Sequence, residues 1–469
     1  MGQEIEHDHF RKQDFTGFES RLRQETELLT QWFGEHRLST RRPTVGYELE
    51  AWLVDEQVRP VPGNERFLEL VHSDLVSPEL ARFNIELNSA PRKLGGTMLR
   101  AMQEELVGNW WRCNEAARQM DAELLLVGIL PTVQYHQLTL DNMSAMTRYR
   151  ALNEQVLRMR RGEPLELNIT GREHYLNWHT DVMLESVATS LQMHIQAEPS
   201  LEARIYNAAI VLSAPMVAAT ANSPYLFGYD LWDETRIPVF EQAVSVTGRS
   251  RVFFGSSYVQ DSLLECFIEN YQDYPVLLPV NLDDDPATLS HLRLHNGTIW
   301  RWNRPLVGFN DEGTPHLRIE HRVVAAGPSL VDTVANMALF YGLVWSLARS
   351  EDIPEASLSF AHARENFYNA AKDGLNSRLR WLKGNEVGAQ LLLTEELLPL
   401  AKKGLQDMGC NQDDIRQSME ILEARLRKAQ NGAAWQRAFI AKHGRDMQAL
   451  TLAYRDHQRG GRPVGEWTL

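Results

Sequence analysis

Gly46-Tyr47-Glu48-Leu49-Glu50 and, further along, Phe83-Asn84-Ile85-Glu86-Leu87-Asn88 alternate polar and apolar residues. In an extended strand, side chains point to opposite faces with period 2. Glu48 and Glu50 therefore share one face, opposite Tyr47, Leu49, Ala51 and Leu53. Asn84, Glu86 and Asn88 likewise oppose Phe83, Ile85 and Leu87. Carboxylates two residues apart in a strand lie roughly 7 Å from one another. At an effective dielectric near 20 they repel by roughly 2 kcal/mol. A sheet that repeats this pattern needs a cation, a proton or bulk water on that face.

The same parity holds in two later segments. In Leu191-Gln192-Met193-His194-Ile195-Gln196 the polar set is Gln192, His194 and Gln196. In His316-Leu317-Arg318-Ile319-Glu320-His321-Arg322 it is Arg318, Glu320 and Arg322. If the four segments share one antiparallel sheet, its apolar side packs on helices, and its other side gathers Glu48, Glu50, Glu86, His194, Glu320, Arg318 and Arg322. Carboxylates with one imidazole suit two or three hard divalent cations, and neighbouring arginines suit a phosphate or carboxylate. Metals and arginines around a phosphate are how phosphoryl transfer is stabilised. A half-exposed sheet facing water alternates in the same way. Such a face would mix in lysine, threonine and serine, whereas these strands cluster Glu, His and Arg. Neither a GxxxxGK[ST] loop nor a GxGxxG loop occurs, so no common phosphate loop accounts for a nucleotide site.

The chain has 469 residues, 43% of them hydrophobic, enough for a large core. A net charge of -14 disfavours a duplex nucleic-acid partner. Cys113, Cys266 and Cys410 are too scattered for a disulfide framework or a zinc site and suit a reducing cytoplasm. The first residues lack a secretory pattern, and the longest apolar run, Leu124 to Leu130, is too short for a bilayer. The expectation is a cytoplasmic protein with no membrane partner.

Apolar spacing predicts helices over 17–36 and 97–121, and a buried helix from Leu201 to Ala221 that ends before Asn222-Ser223-Pro224. Strands are expected at 44–54, 82–90, 124–130, 190–196, 297–303 and 316–324. Residues 141–160 read as a loop running into a helix. Ser329 and Asp332 form a capping-box variant, after which nearly everything to about 457 reads as helical. The strands are not spaced as βαβ units, so the fold class expected is α+β.

Together these residues resemble the bacterial and plant-type glutamate–cysteine ligase family, which also contains related carboxylate–amine ligases. The resemblance rests on ordered motifs: Gly46-x-Glu48-x-Glu50, Glu86-Leu87-Asn88 with Pro91, and Gly128-Ile129-Leu130-Pro131. Arg148-Tyr149-x-x-Leu152 and Ala221-Asn222-Ser223-Pro224 with Gly228 and Arg236 follow. Thr298-Ile299-Trp300-Arg301-Trp302-Asn303-Arg304-Pro305, Arg318-Ile319-Glu320-x-Arg322, Gly327-Pro328 and Asp332 with Ala335-Asn336 complete the set. It covers about residues 42–385. The resemblance implies a glutamine-synthetase-like curved antiparallel sheet forming a funnel, flanked by helices. It divides the chain into a catalytic domain, 1–385, and a helical C-terminal extension, 386–469, packed on it.

What the resemblance implies chemically is ATP-dependent formation of an amide bond through an acyl phosphate, with glutamate and cysteine as the default pair. ATP and two or three Mg²⁺ ions, with Mn²⁺ as a substitute, are the implied cofactors. The partners are small molecules, and a homo-oligomer is left open. By motif position, Glu48, Glu50, Glu86, His194 and Glu320 would hold metals. Arg322 and Arg318, with Glu50, would serve the transferred phosphoryl group. Arg148, Asn222, Arg236, Asn303 and Arg304 would contact substrate or ATP. Two positions depart from the family pattern: Gln192 stands where a first histidine is common, and Lys372 where an arginine is expected. Both suggest a side branch with an altered substrate, so a ligase for a different amine is the alternative. A regulator that binds nucleotide and metal without catalysis is a further one.

Overall fold

In the computed structural model, which describes residues 4–5, 8–246, 250–382 and 384–469, the long strand that carries Glu48 and Glu50 lies at the centre of an eight-stranded sheet. Its strands are β1 (Thr44–Val54), β2 (Val76–Pro78), β3 (Asn84–Asn88), β4 (Arg92–Lys93), β5 (Glu123–Leu125), β6 (Ser190–Ala197), β7 (Asn303–Phe309) and β8 (Pro315–Ala325). The order is β7-β8-β6-β1-β3-β2, with β4 and β5 also pairing β1. Each of these pairs is antiparallel. The sheet curls around its polar side, and the expected α+β class holds.

Register sets the positions of the polar residues. Glu50 lies opposite Glu86, Glu48 opposite Gln192, and Glu320 opposite His194. The four segments thus form one continuous polar face. Their apolar partners, among them Tyr47, Leu49, Ile85, Leu191, Met193, Ile195, Leu317 and Ile319, enter one large core cluster. Helices Glu202–Thr220 and Leu330–Ala348 back that side. The second is long and apolar enough to cross a membrane, yet 78% of its most apolar stretch is buried within the protein. Tyr341 from this helix donates to the Gly46 carbonyl at 2.7 Å, tying it to β1.

Three sequence expectations change. The apolar run 124–130 is a strand only to Leu125. Beyond it the backbone finds side chains instead of a ladder. Leu126 N–H donates to Gln458, while its carbonyl accepts from Gln458 and Tyr454. The strand expected at 297–303 forms only in part: helix Ser290–Gly297 runs up to it, Trp300–Arg301 pairs with Val252–Phe253 outside the main sheet, and β7 begins at Asn303. Pro305 is tolerated there because β7 is an edge strand. The region after 329 is helical except for a hairpin, Arg378–Arg380 with Glu386–Gly388.

The segment after 385 is woven into the protein. Arg425, fully buried, donates to Asp332 at 2.8 Å and to Asn336 at 2.6 Å. Asp332 in turn accepts from Ser329 and from the Val464 amide. Ser329 caps its helix by accepting from the Asp332 amide, as its position predicts. Breaking such a buried pair leaves an uncompensated charge and costs about 3–5 kcal/mol. Arg425→Ala is therefore expected to lower unfolding free energy by about that amount, with one cooperative urea transition by fluorescence and circular dichroism. A separate early transition of the C-terminal helices would show that they are only loosely attached.

Candidate active site

The polar face of the sheet opens into a cavity of about 400 Å³. Its walls include Glu48, Glu50, Glu79, Glu86, Glu185 and Gln192, with Arg148, Arg236, Arg304, Arg318 and Arg322. Among the described residues, two groups of three metal-binding side chains stand on or beside this face. Glu48, His194 and Glu320 place one ligand atom each within 4.8 Å of one another, and so do Glu50, Glu79 and Glu86. All five metal candidates named from sequence fall into these groups.

In the first group, His194 Nε2 lies 3.2 Å from Glu48 and 4.0 Å from Glu320. Both His194 nitrogens are buried without a directed hydrogen-bond partner. Arg304 grips Glu320 through two bonds of 2.9 and 3.0 Å, and Arg322 adds a third of 2.7 Å. Burial opposes ionisation of Glu320, but Arg304 and Arg322 overcome it and hold the carboxyl well below its usual range.

The second group has the opposite character. Burial, then the Glu86 carboxylate, pushes Glu50 up to about 7, against Arg322. Burial and the Glu50 charge push Glu79 up to about 7 as well. Glu86 is raised well above its usual value by burial and by Glu48 and Glu79. Its partners, Ser77 and Asn88, are neutral donors at 3.0 Å. Three packed carboxylates, only partly offset by Arg322 and Arg148, must hold protons or take up a cation. The imidazole between Glu48 and Glu320 and this oxygen-rich trio both fit divalent metals.

Gln192 joins the groups. Its amide donates to Glu50 at 2.8 Å, and its carbonyl accepts from Arg322 at 2.6 Å. The Ser190 amide donates to the other Glu50 oxygen at 2.7 Å. A neutral imidazole, one nitrogen a donor and the other an acceptor, offers the same pair of bonds. The departure at 192 therefore preserves the connection. Lys372 lies outside the cavity, with its ammonium 5.2 Å from the Trp232 ring centre.

The remaining sequence candidates divide. Arg148 lines the cavity and donates to the Tyr149 hydroxyl at 2.8 Å. Arg318 lines it with a buried Nε that lacks a partner. Arg236 reaches the wall, but its donors hold Glu234 and the Arg322 and Val323 carbonyls, where β8 shifts register. Asn222 and Asn303 are corrections. Asn222 is fully buried away from the cavity, donating to the Ala326 carbonyl and the Tyr454 hydroxyl and accepting from Gln436. Asn303 projects to the helical side of the sheet, where it bonds Ser213 and His321. Its neighbour Arg304 takes the polar face, as period 2 requires. Trp300 and Trp302 also line the cavity.

Glu79 and Glu185 escaped the sequence reading. Glu79 follows a three-residue strand, too short to show alternation, although Ser77 two residues earlier faces Glu86. Glu185 lies on a single short helical turn, Val182–Val187, where no periodicity marks it.

The model of glutamate–cysteine ligase family 2 matches residues 44–461. Fold, site and this match define an enzyme, an ATP-dependent carboxylate–amine ligase. The chain belongs to glutamate–cysteine ligase family 2. Among solved structures it is similar to a glutamate–cysteine ligase from Francisella tularensis in complex with AMP. The identity is 10%, the coverage 91% of this chain and 90% of that one, and the TM-score 0.54. It also matches a bifunctional glutathione synthetase from Pasteurella multocida at 12% identity, with 92% and 54% coverage and a TM-score of 0.49. At 10% identity the likeness to the Francisella tularensis structure is one of fold. No curated protein matches the sequence.

The raised carboxyls give a pH prediction. A carboxyl whose value rises on folding holds its proton longer in the native state, so stability falls as pH rises from the usual 4.5 towards about 7. Metal-free protein is expected to lose thermal stability across this window. Added Mg²⁺ should restore it, with a larger gain at pH 8 than at pH 5, as read by differential scanning fluorimetry. Glu79→Gln should shrink that gain. An Mg²⁺ effect independent of pH and of Glu79 would remove the trio as a metal site.

Proposed function

We propose that this ligase uses ATP to activate the γ-carboxylate of glutamate and joins it to an amine, with cysteine as the default acceptor. The reading is carried by one observation: two three-ligand groups linked through Gln192 and Arg322, one lining the cavity with all three carboxylates and the other meeting it through Glu48. Mg²⁺ would be held by Glu48, His194 and Glu320 and by Glu50, Glu79 and Glu86. When bound, it would neutralise charge on the ATP phosphates.

The reaction then runs in two displacements. The substrate carboxylate attacks the γ-phosphorus of ATP, giving an acyl phosphate and ADP. The amine attacks the acyl carbon, a C–N bond forms, and phosphate departs. Arg322, Arg318 and Arg304 supply positive charge beside the cavity, where phosphoryl oxygens gain charge in the transition state. Arg304 and Arg322 are held in place by Glu320, so their geometry is set before substrate arrives. Arg148, at the wall near Glu79, suits a substrate carboxylate.

Purified protein with ATP, Mg²⁺ and glutamate, screened against a panel of amines for phosphate release and product mass, is expected to yield γ-glutamylcysteine. A different amine giving product while cysteine gives none would reject the default acceptor. No phosphate release with any amine would reject glutamate activation. Glu50→Gln should lower turnover by at least about a hundredfold while circular dichroism stays unchanged, since it removes a ligand and also relieves a repulsive pair. Normal turnover in that variant would reject the ligand role.

A further inference from the structure

Among the described residues five carboxylates line the cavity, and four of them, Glu48, Glu50, Glu79 and Glu86, belong to the two ligand groups. The fifth, Glu185, belongs to neither. One of its oxygens, Oε2, is buried in the wall and has no hydrogen-bond partner. A buried acceptor without a donor is costly, so it marks a place where a donor is missing.

The turn that carries Glu185 is firmly built. Asp181 starts it by accepting from the Met183 amide at 2.9 Å, and His179 braces Asp181 at 2.8 Å. Asn153, from helix Thr147–Met159, accepts from the Val182 amide at 3.1 Å. Val182, Met183, Leu184 and Val187 are buried in a core cluster. The backbone is thus fixed, while Glu185 and Ser186 face the cavity. The Asn153 bond places this turn beside the helix whose Tyr149 and Leu152 line the same cavity.

The charged groups around Glu185 are Arg322 from the sheet and the carboxylates Glu50 and Glu79. Arg236 stands on the helix Arg236–Ala243, which packs against the turn. Burial pushes the Glu185 carboxyl up to about 7, with Glu50 adding to the rise and Arg322 opposing it.

An acceptor amine arrives as an ammonium ion, whose nitrogen has no free lone pair. We propose that Glu185 binds the acceptor ammonium and takes its first proton, so that the acceptor is a primary amine seated between Glu185, Tyr149 and Leu152. The step balances. One N–H proton passes to a Glu185 oxygen and leaves the lone pair on nitrogen. That pair forms the C–N bond to the acyl carbon while the C–O bond to the phosphoryl group breaks. The second nitrogen proton leaves with the departing phosphate, and Glu185 returns its proton to solvent.

This assignment rests on the ligase reading above, and the test separates the two. Wild-type protein and Glu185→Gln would be assayed with ATP, Mg²⁺ and glutamate, using cysteine or another amine active in the panel as the protonated acceptor. Hydroxylamine, largely unprotonated at neutral pH, would serve as the second acceptor. The expected result is that Glu185→Gln loses at least about a hundredfold in amide formation at pH 7, while forming the hydroxamate within about threefold of wild type. Its amide rate should recover as pH rises towards the acceptor's own ionisation. Equal loss with both acceptors, or recovery on raising Mg²⁺, would assign Glu185 to the fold or to a metal and overturn the proposal. Wild-type protein that makes the hydroxamate yet is inert to every amine would also overturn it. Wild-type protein that makes neither product would fail the glutamate reading itself.

Discussion

Repulsion between carboxylates on one face of a sheet is the constraint on which this structure is arranged. Antiparallel register sets Glu50 directly opposite Glu86, and Glu48 stands two residues from Glu50. Such a face is stable only where its charge is matched. The protein matches half of it with its own arginines. Arg304 and Arg322 neutralise Glu320, and Gln192 carries hydrogen bonding onward from Arg322 to Glu50. The other half, Glu50 with Glu79 and Glu86, is hydrogen-bonded by neutral donors, is only partly offset by Arg322 and Arg148, and is left ready for an external cation. One end is self-neutralised and rigid, and the other is chemically incomplete.

That arrangement demands a stiff support, which the apolar side of the sheet supplies. Helices Glu202–Thr220 and Leu330–Ala348 are buried along nearly their whole lengths against it. The C-terminal helices lock these supports through polar bonds that water cannot reach. Arg425 ties Asp332 and Asn336, while Tyr454 and Gln436 hold Asn222. Gly432 packs so closely on Asn222 that a Cβ there would overlap its side chain. Motifs that look alike in sequence therefore serve different ends. Gly46-x-Glu48-x-Glu50 and Arg318-Ile319-Glu320-x-Arg322 build the site, whereas Ala221-Asn222-Ser223-Pro224 and Asp332 with Asn336 assemble the scaffold. The tail that carried no assignable motif completes that scaffold.

Local periodicity made much of the sheet legible. Strand β1 runs over the expected 44–54, and β6 and β8 lie within a residue of expectation. Parity correctly put Glu48, Glu50, Glu86, His194, Glu320 and Arg322 on one face. It failed where backbone partners are distant in sequence. Leu126 looks like a strand residue, but Gln458 and Tyr454 take its backbone groups. Asn303 and Arg304 looked equivalent, and only the start of β7 decides which one meets the cavity.

The sequence by itself determined the polar and apolar faces of the strands, because side-chain direction in a strand depends on nothing beyond residue parity. It also determined the family, through motifs in fixed order. The tertiary structure alone decided which carboxylates meet. Glu79 joins Glu50 and Glu86, and Glu185 reaches the cavity, from segments too short to carry a period. It also assigned Asn222 to the scaffold. Such convergence is set by long-range pairing and by the packing of helices behind the sheet, which no local pattern records.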